Sequence, residues 1–574
     1  MESNAWDLPE IRALIVPYLS PASLHACVLV SKVWHDFFIR LLWATFHFGP
    51  PRKTSTTSSS DEPQLPERAT IEKHAHLIQN LVVFDLTPTF RLDLFRGTPL
   101  TSLKELHLSP SISSNTTNTS HLDWIFRQNP GLQVVEYNGT RSKSQWSQRN
   151  TLEQQQQEQQ EQEKEKEEVL VLLDSCREIV DLTMRYVEFK EEYWEGFRRL
   201  CATKLKRLVF YRGRGLEDAK WDGIPMPHLQ ELEILSADGF VMVPNPRMIF
   251  QCPNLRTLRW SDNRGQDPDP YSFHQILASC PRLDALDVQG MALPDDDIAT
   301  FLTRMTHPAR EIILPTTKFP FEEGPRFIGF GLKAFEALAR QHLTEQLVVL
   351  DIGPTSGFVT SGMVLKVLHS CTRLREIGAC RVSGRDICEQ AQVEGRWACH
   401  GLEVFNVRVV FELPDEQLVQ TQEGVFRQLS GLTRLRVLNV GTRTTTTIQQ
   451  QMDSLFSTVP NAEAEAESSL QFKLEYGLAQ LAGLKRLEIL SVVGGVPQKL
   501  AREDVEWMRR WWRGLKIVKG QLYPEKKVNV AIWNVLTIRA RWREGQEEEA
   551  KDEERFLGLL DELGFRSTAA AAMT

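Results

Sequence analysis

One phrase recurs along almost the whole chain and limits what it can fold into. Its cleanest copy is CPNLRTLRW, Cys252 to Trp260, where Leu255, Leu258 and Trp260 follow L-x-x-L-x-L, with Asn263 three places on. Side chains alternate along a strand, so a short strand here turns Leu258 and Trp260 to one face and Arg259 to the other. Leu255 closes the turn that leads in. Taking the second leucine-type residue of each copy as an anchor gives Leu81, Leu106, Val135, Leu182, Leu208, Leu232, Leu258, Leu286, Ile312, Leu350, Ile377, Phe405, Leu438 and Leu487, with a weaker copy ending at Val518. Most steps lie between 24 and 29 residues. Helical patterns run between anchors, such as Trp194, Phe197 and Leu200, or Ile298, Phe301, Leu302 and Met305. Each unit is a strand followed by a helix. One such unit cannot bury its own apolar face, but stacked units share a continuous core.

Five cysteines confirm the register. Cys176, Cys252, Cys280, Cys371 and Cys399 each stand six residues ahead of an anchor. A reactive thiol has no reason to recur at a fixed phase of a structural repeat, whereas a small, weakly polar core side chain does. Period and cysteine phase together resemble the cysteine-containing, ribonuclease-inhibitor-like leucine-rich repeats, over roughly residues 70–520. That resemblance implies an α/β leucine-rich-repeat solenoid, a curved parallel sheet with outer helices.

The start of the chain is different. Residues 8–43 carry Ile11, Leu14, Ile15 and Leu19 at helical spacing, then Ser20-Pro21 as cap and first turn of a second helix with Leu24, Cys27 and Val28. Ser31 caps a third helix bearing Trp34, Phe37, Phe38, Leu41 and Leu42. Three helices this short bury little by themselves, and their surplus of large apolar residues points to a partner surface. The run L-P-E-I, Y-L, S-x-x-S-L, V-S-K-V-W and a closing Trp43 resembles an F-box, although Ser31 stands where that family often has cysteine. The resemblance implies docking on a Skp-type adaptor, and through it a cullin, by Leu8, Pro9, Ile11, Leu19, Leu24, Val28 and Trp34.

The expected organisation is a helical domain at 1–48, a Pro/Ser/Thr-rich linker at 49–69, and a solenoid at 70–522. A C-terminal cap and acidic tail follow at 523–574. Low-complexity inserts near 150–168 (Gln, Glu, Lys) and 442–469 lengthen two repeats, and the stretch Lys318 to Phe335, with five phenylalanines, lengthens a third. That third insert reads either as a binding loop or as a helix entrance packed on the array.

The 574 residues carry a formal net charge of -8 with the two signs interspersed, which argues against a nucleic-acid partner. No apolar run reaches the about 18 residues of a membrane span, and the acidic, polar start MESNAWDLPE is no secretory signal. Nine cysteines without C-x-x-C or a neighbouring His cluster read as reduced thiols in an intracellular protein, cytoplasmic or nuclear. No nucleotide, metalloprotease or serine-hydrolase motif is found, so neither a catalytic residue, a metal nor a cofactor is expected. Asp295 to Asp297 read as the acidic first turn of a helix, and Asp287 and Asp351 as residues in the exposed slot after an anchor.

Binding is therefore assigned to the strand face, at one and three places past each anchor. Arg185, Tyr211, Arg259, Asp287, Asp351, Asn406 and Arg408 fall there, a mixture suited to protein recognition. The reading is a substrate-recognition subunit of an SCF-type ubiquitin ligase, with repeats that hold an unknown target protein. The alternative is a repeat scaffold with no ligase link, its helices serving only as a cap.

Overall fold

The computed structural model describes residues 9–48, 67–84, 95, 97–109, 122–139, 163, 166–211, 225–235, 246–261, 275–276, 278–288, 293–305, 309–314, 330–340, 346–352, 359–411, 415–441, 470–492, 498 and 500–519. Leu8, most of the linker at 49–69, most of the insert near 150–168, the insert at 442–469 and the tail at 523–574 lie outside the described residues. Phe319, Phe321 and Phe327 of the phenylalanine-rich stretch also lie outside them. Three helices open the chain: α1 (Pro9–Ile15), α2 (Pro21–Val28) and α3 (Lys32–Ala44). Ser20 and Ser31 cap the second and third as expected, accepting from Ser23 N at 3.1 Å and Trp34 N at 3.2 Å.

The chain then divides into two compact units at Asp262/Asn263. Among the described residues of the first, eight strands pair in chain order and all in parallel: β1 (Thr45–Phe48), β2 (Asn80–Phe84), β3 (Glu105–Ser109), β4 (Val134–Asn138), β5 (Asp181–Arg185), β6 (Arg207–Tyr211), β7 (Glu231–Leu235) and β8 (Thr257–Ser261). The second unit does the same with β9 (Ala285–Asp287), β10 (Glu311–Ile313), β11 (Val349–Asp351), β12 (Glu376–Ser383), β13 (Val404–Val410), β14 (Val437–Asn439), β15 (Ile489–Ser491) and β16 (Ile517–Lys519). Sequential parallel strands alternating with helices make this the expected α/β leucine-rich-repeat solenoid.

The register is the one the phrase dictates. Leu81, Leu106, Val135, Leu182, Leu208, Leu232 and Leu258 are successive partners across the first ladder, all fully buried. A buried leucine of this kind contributes about 1.5–3 kcal/mol, so the row is a main part of the core. Leu286, Ile312, Leu350, Ile377, Phe405 and Leu438 continue the pattern in the second unit. The next partner is Leu490, not Leu487. KRLEIL offers two leucines three apart, and Leu487 holds the turn-closing place that Leu255 and Leu435 hold elsewhere, fully buried like them.

A strand also precedes the expected first anchor. Helix α3 runs straight into β1, where Phe46 pairs with Leu81, and Trp43 sits three residues ahead of it in the turn-closing place. Trp43 is buried, stacked on Phe46 at 5.6 Å and His74 at 4.8 Å between ring centres. The third helix is thus continuous with the repeat array.

All five register cysteines are fully buried. Burial pushes the thiols of Cys176, Cys280, Cys371 and Cys399 up to about 12. Such thiols stay protonated and act as small apolar fillers.

Side chains from one repeat also finish the backbone of the next. Asp295 accepts from Gly331 N, Lys333 N and Ala334 N at 2.8–3.0 Å, capping the helix Leu332–Arg340 rather than its own. Buried Gln428 takes Trp397 N at 3.2 Å and gives to Gly395 O at 3.0 Å. Phe330 is buried beside that Asp295-capped start, and Phe335 is half-buried on the same helix, so these two belong to the helix entrance.

Candidate functional site

Two surfaces stand out. On the opening helices, Arg12 is buried and ties α1 to α3. Its Nη1 donates to Val33 O at 3.0 Å, and its Cζ lies 4.9 Å over the Phe37 ring. Phe38 is fully buried between Trp34 (5.3 Å) and Phe37 (5.0 Å). Of the expected adaptor-facing residues, Val28 is buried, while Ile11, Leu19, Leu24 and Trp34 are half-buried. The side chain of Pro9 lies outside the described residues, like all of Leu8. The large apolar side chains that do face solvent are different ones: Leu14 (67% exposed), Tyr18 (87%), Leu29 (73%), Val30 (62%) and Val33 (52%). Five such residues between positions 14 and 33 amount to uncovered apolar surface. Leu14 stood on a predicted helix face and Tyr18, Val30 and Val33 within the quoted motif runs, but none was assigned to the docking surface, and Leu29 carried no signal at all.

The second surface is the strand face of the first unit. Glu136 on β4 links two neighbours: its carboxylate lies 3.2 Å from His107 Nδ1 on β3 and 2.8 Å from Arg185 Nε on β5. Arg185 Cζ in turn stands 5.4 Å from the Tyr211 ring centre, and Tyr186 meets Tyr211 edge to face at 5.7 Å. Tyr186 has φ +57°, a left-handed backbone that a bulky residue adopts only under constraint. Its N–H donates to Tyr211 O at 2.8 Å, which holds it there. Arg185 and Tyr211 are therefore brought together, with His107, Glu136 and Tyr186 as partners that the sequence reading missed.

Arg259 belongs to a neighbouring group. It lies 3.4 Å from Glu233, which is also 3.1 Å from Arg207, and Arg207 reaches Asp181 at 3.2 Å and Glu231 at 3.3 Å. Glu233 is nearly buried, so this network is partly screened from solvent and stiffens the face. In the second unit, Asp287 and Arg408 are half-buried and Asn406 accepts from Asn439 Nδ2 at 2.7 Å. Asp351 corrects the expectation of an exposed slot: it is only 5% exposed. Its neighbour across the ladder is Gly378, where a Cβ would stand 2.6 Å from the Asp351 carboxylate, so the side chain lies flat over that glycine.

The His107–Glu136 pair makes a titration prediction. Its hydrogen bond to Glu136 raises His107 above its ordinary value of 6.5, and the same bond lowers Glu136 below 4.5. A raised histidine contributes stability fully below about 6.5 and loses it as pH climbs through the folded value. Glu136 contributes above its ordinary value and loses that as pH falls through its lowered one. His107 is expected to titrate above 6.5 by NMR, and Glu136→Gln to bring it down. A wild-type value at or below 6.5 would show the pair is not formed.

Among the described residues no three His, Cys, Asp or Glu side chains group as a metal site, and no helix is long and apolar enough to cross a membrane. No family model matches the sequence, and no curated protein matches it. Solved structures similar to the chain include a leucine-rich-repeat protein of Leptospira interrogans, at 13% identity and TM-score 0.34, covering 79% of this chain and 92% of that one. The Rad7–Elc1 complex of yeast is similar at 12% identity and TM-score 0.36, covering 79% and 90%. The leucine-rich-repeat protein LegL7 of Legionella pneumophila is similar at 14% and 0.27, covering 64% and 96%. The repeat register, not these distant likenesses, defines the fold.

Proposed function

We propose that the chain is a substrate-recognition subunit of an SCF-type cullin-RING ubiquitin ligase. Its opening helices hold a Skp-type adaptor, and its repeats hold a target protein on the strand face around Arg185, Tyr211 and Arg259. The observation that carries the reading is the uncovered apolar set on residues 14–33. Covering a large apolar side chain is worth about 1.5–3 kcal/mol, so a partner seated there gains affinity from each. The chain does no bond chemistry in this role; it raises the local concentration of target lysines at an enzyme held elsewhere.

The test is capture of a purified Skp-type adaptor by the full chain. Leu29→Glu with Val33→Glu is expected to weaken capture by at least about a hundredfold, because two anchors are lost and charge is buried against the partner. Leu8→Ala with Pro9→Ala is expected to weaken it too, and unchanged capture there removes that end of the docking surface. Failure of the wild-type chain to bind the adaptor ends the proposal.

One observation favours the rival reading, a repeat scaffold whose helices are only a cap. Trp43 and β1 are built into the array, as a cap requires. A cap, however, needs no exposed Leu14, Tyr18 or Leu29, and that apolar excess is what the adaptor reading accounts for.

A further inference from the structure

Where β13 to β16 of the second unit begin, four cationic side chains outnumber two carboxylates. Backbone hydrogen bonds keep these strand starts in step. Arg436 N donates to Glu403 O at 2.8 Å, Glu488 N to Arg436 O at 2.8 Å, and Lys516 N to Glu488 O at 2.8 Å. Glu403, Arg436, Glu488 and Lys516 are therefore successive rungs, on strands about 4.8 Å apart. With Arg434 and Arg486 from the turns just ahead, they line an open hollow of ≈ 490 Å³.

The charges in it do not cancel. Glu488 is taken up by Arg436 at 2.7 Å and Lys516 at 2.9 Å, which hold its carboxyl at about 2. Glu403 faces Arg375 at 3.6 Å. Arg434 and Arg486 are exposed, and neither has an ion pair or side-chain hydrogen bond among the described residues. The equivalent turn position in the first unit is settled internally: Glu178 pairs with Lys204, and Asn254 Nδ2 donates to Pro227 O at 2.6 Å. Two arginines lining one hollow repel each other, and an anion seated there relieves the repulsion. The guanidinium fork matches the oxygens of a phosphate as it does those of a carboxylate, and a phosphate brings nearly two negative charges to answer two cations.

We infer that this hollow is a docking site for a phosphorylated polypeptide segment, with Arg434 and Arg486 clamping the phosphate. A polypeptide fits better than a nucleic acid. Glu403 and Glu488 interrupt the row at every second rung, where a continuous phosphate backbone would meet them. No exposed aromatic ring lines the hollow to stack a base. A single phosphate on a peptide needs only the two free arginines. This site is separate from the adaptor surface and stands whether or not the chain joins a ligase.

The test is retention of a degenerate phosphoserine peptide library on the immobilised full chain, against the same library after phosphatase treatment. An oligothymidine of similar length serves as competitor. Phosphate-dependent retention is expected, and the best retained peptide should lose roughly tenfold in affinity for each of Arg434→Ser and Arg486→Ser. Both positions are exposed, so the variants should melt like the wild type. Arg282→Ser, another exposed turn arginine outside the hollow, is expected to change nothing. Equal retention of both libraries, no loss in the double variant, or an equal loss with Arg282→Ser overturns the inference. Tighter binding of the oligothymidine, lost through the same two arginines, assigns the hollow to nucleic acid instead.

Discussion

A chain that begins at residue 49 is expected to aggregate, whereas the full chain carrying Leu29→Glu and Val33→Glu is expected to remain folded and monomeric. The difference lies in what each change exposes. Truncation removes β1, leaving the free edge of β2 with unpaired N–H and C=O groups, a ready template for another chain. It strips away Trp43, which covers His74, and Phe46, which packs edge to face on the fully buried Phe95 at 5.8 Å. It also takes the Ala44 carbonyl that accepts from Gln79 N at 2.9 Å. Losing the buried Trp43 alone costs about 3–5 kcal/mol, and the half-buried Phe46 goes with it. The glutamate variants alter only side chains already in solvent. Light scattering and thermal melts read both outcomes. A monomeric truncation with an unchanged melting temperature would show that the array needs no cap from this end. The structure also shows why truncation cannot separate a cap from an adaptor module, since the third helix serves the array at one end and α2 at the other. Point changes on the exposed apolar set make that separation.

The fold was legible because the repeat imposes the same physical demand many times. Each unit needs a buried anchor, a buried turn-closing residue three before it and a small filler six before it, so an error in one copy is corrected by the rest. The reading slipped where the local pattern was ambiguous, at the two leucines of KRLEIL. It also missed β1, since TFHF follows a helix without the usual spacing. The candidate site was less legible. Arg185 and Tyr211 were found from strand alternation alone, but their partnership depends on Glu136 and Tyr186, which belong to other repeats or to a strained turn. Asp351 was placed on the right face and wrongly in solvent, because its burial is set by Gly378 on the next strand. Sequence distance hides such pairs, and only the ladder register brings them together. The exposed apolar residues of the opening helices were hidden for another reason: in helices with so many large apolar side chains, composition does not say which of them the core leaves out.

Phe197→Ala and Trp512→Ala are expected to cost similar free energy locally and to spread very differently. Phe197 is fully buried in an aromatic cluster with Phe189 at 5.2 Å, Trp194 at 6.0 Å and Phe210 at 6.0 Å. Removing it leaves a cavity worth about 3–5 kcal/mol. Trp512 is 1% exposed and donates through Nε1 to Leu481 O at 3.0 Å. Its loss opens a cavity of the same order, while the Leu481 carbonyl keeps its bond from Leu484 N at 3.0 Å. In a repeat array, stability is a sum of unit and nearest-neighbour contributions. A defect between strands β5 and β6 therefore severs coupling on both sides. One beside β16 has a described strand on one side only, β15. Hydrogen exchange is expected to show Phe197→Ala lowering protection across β4 to β7, and Trp512→Ala freeing β16 while β13 and β14 keep theirs. If Phe197→Ala left β4 and β7 as protected as in the wild type, the repeats would be stacked without being coupled, and a partner bound on one strand could not stabilise the next.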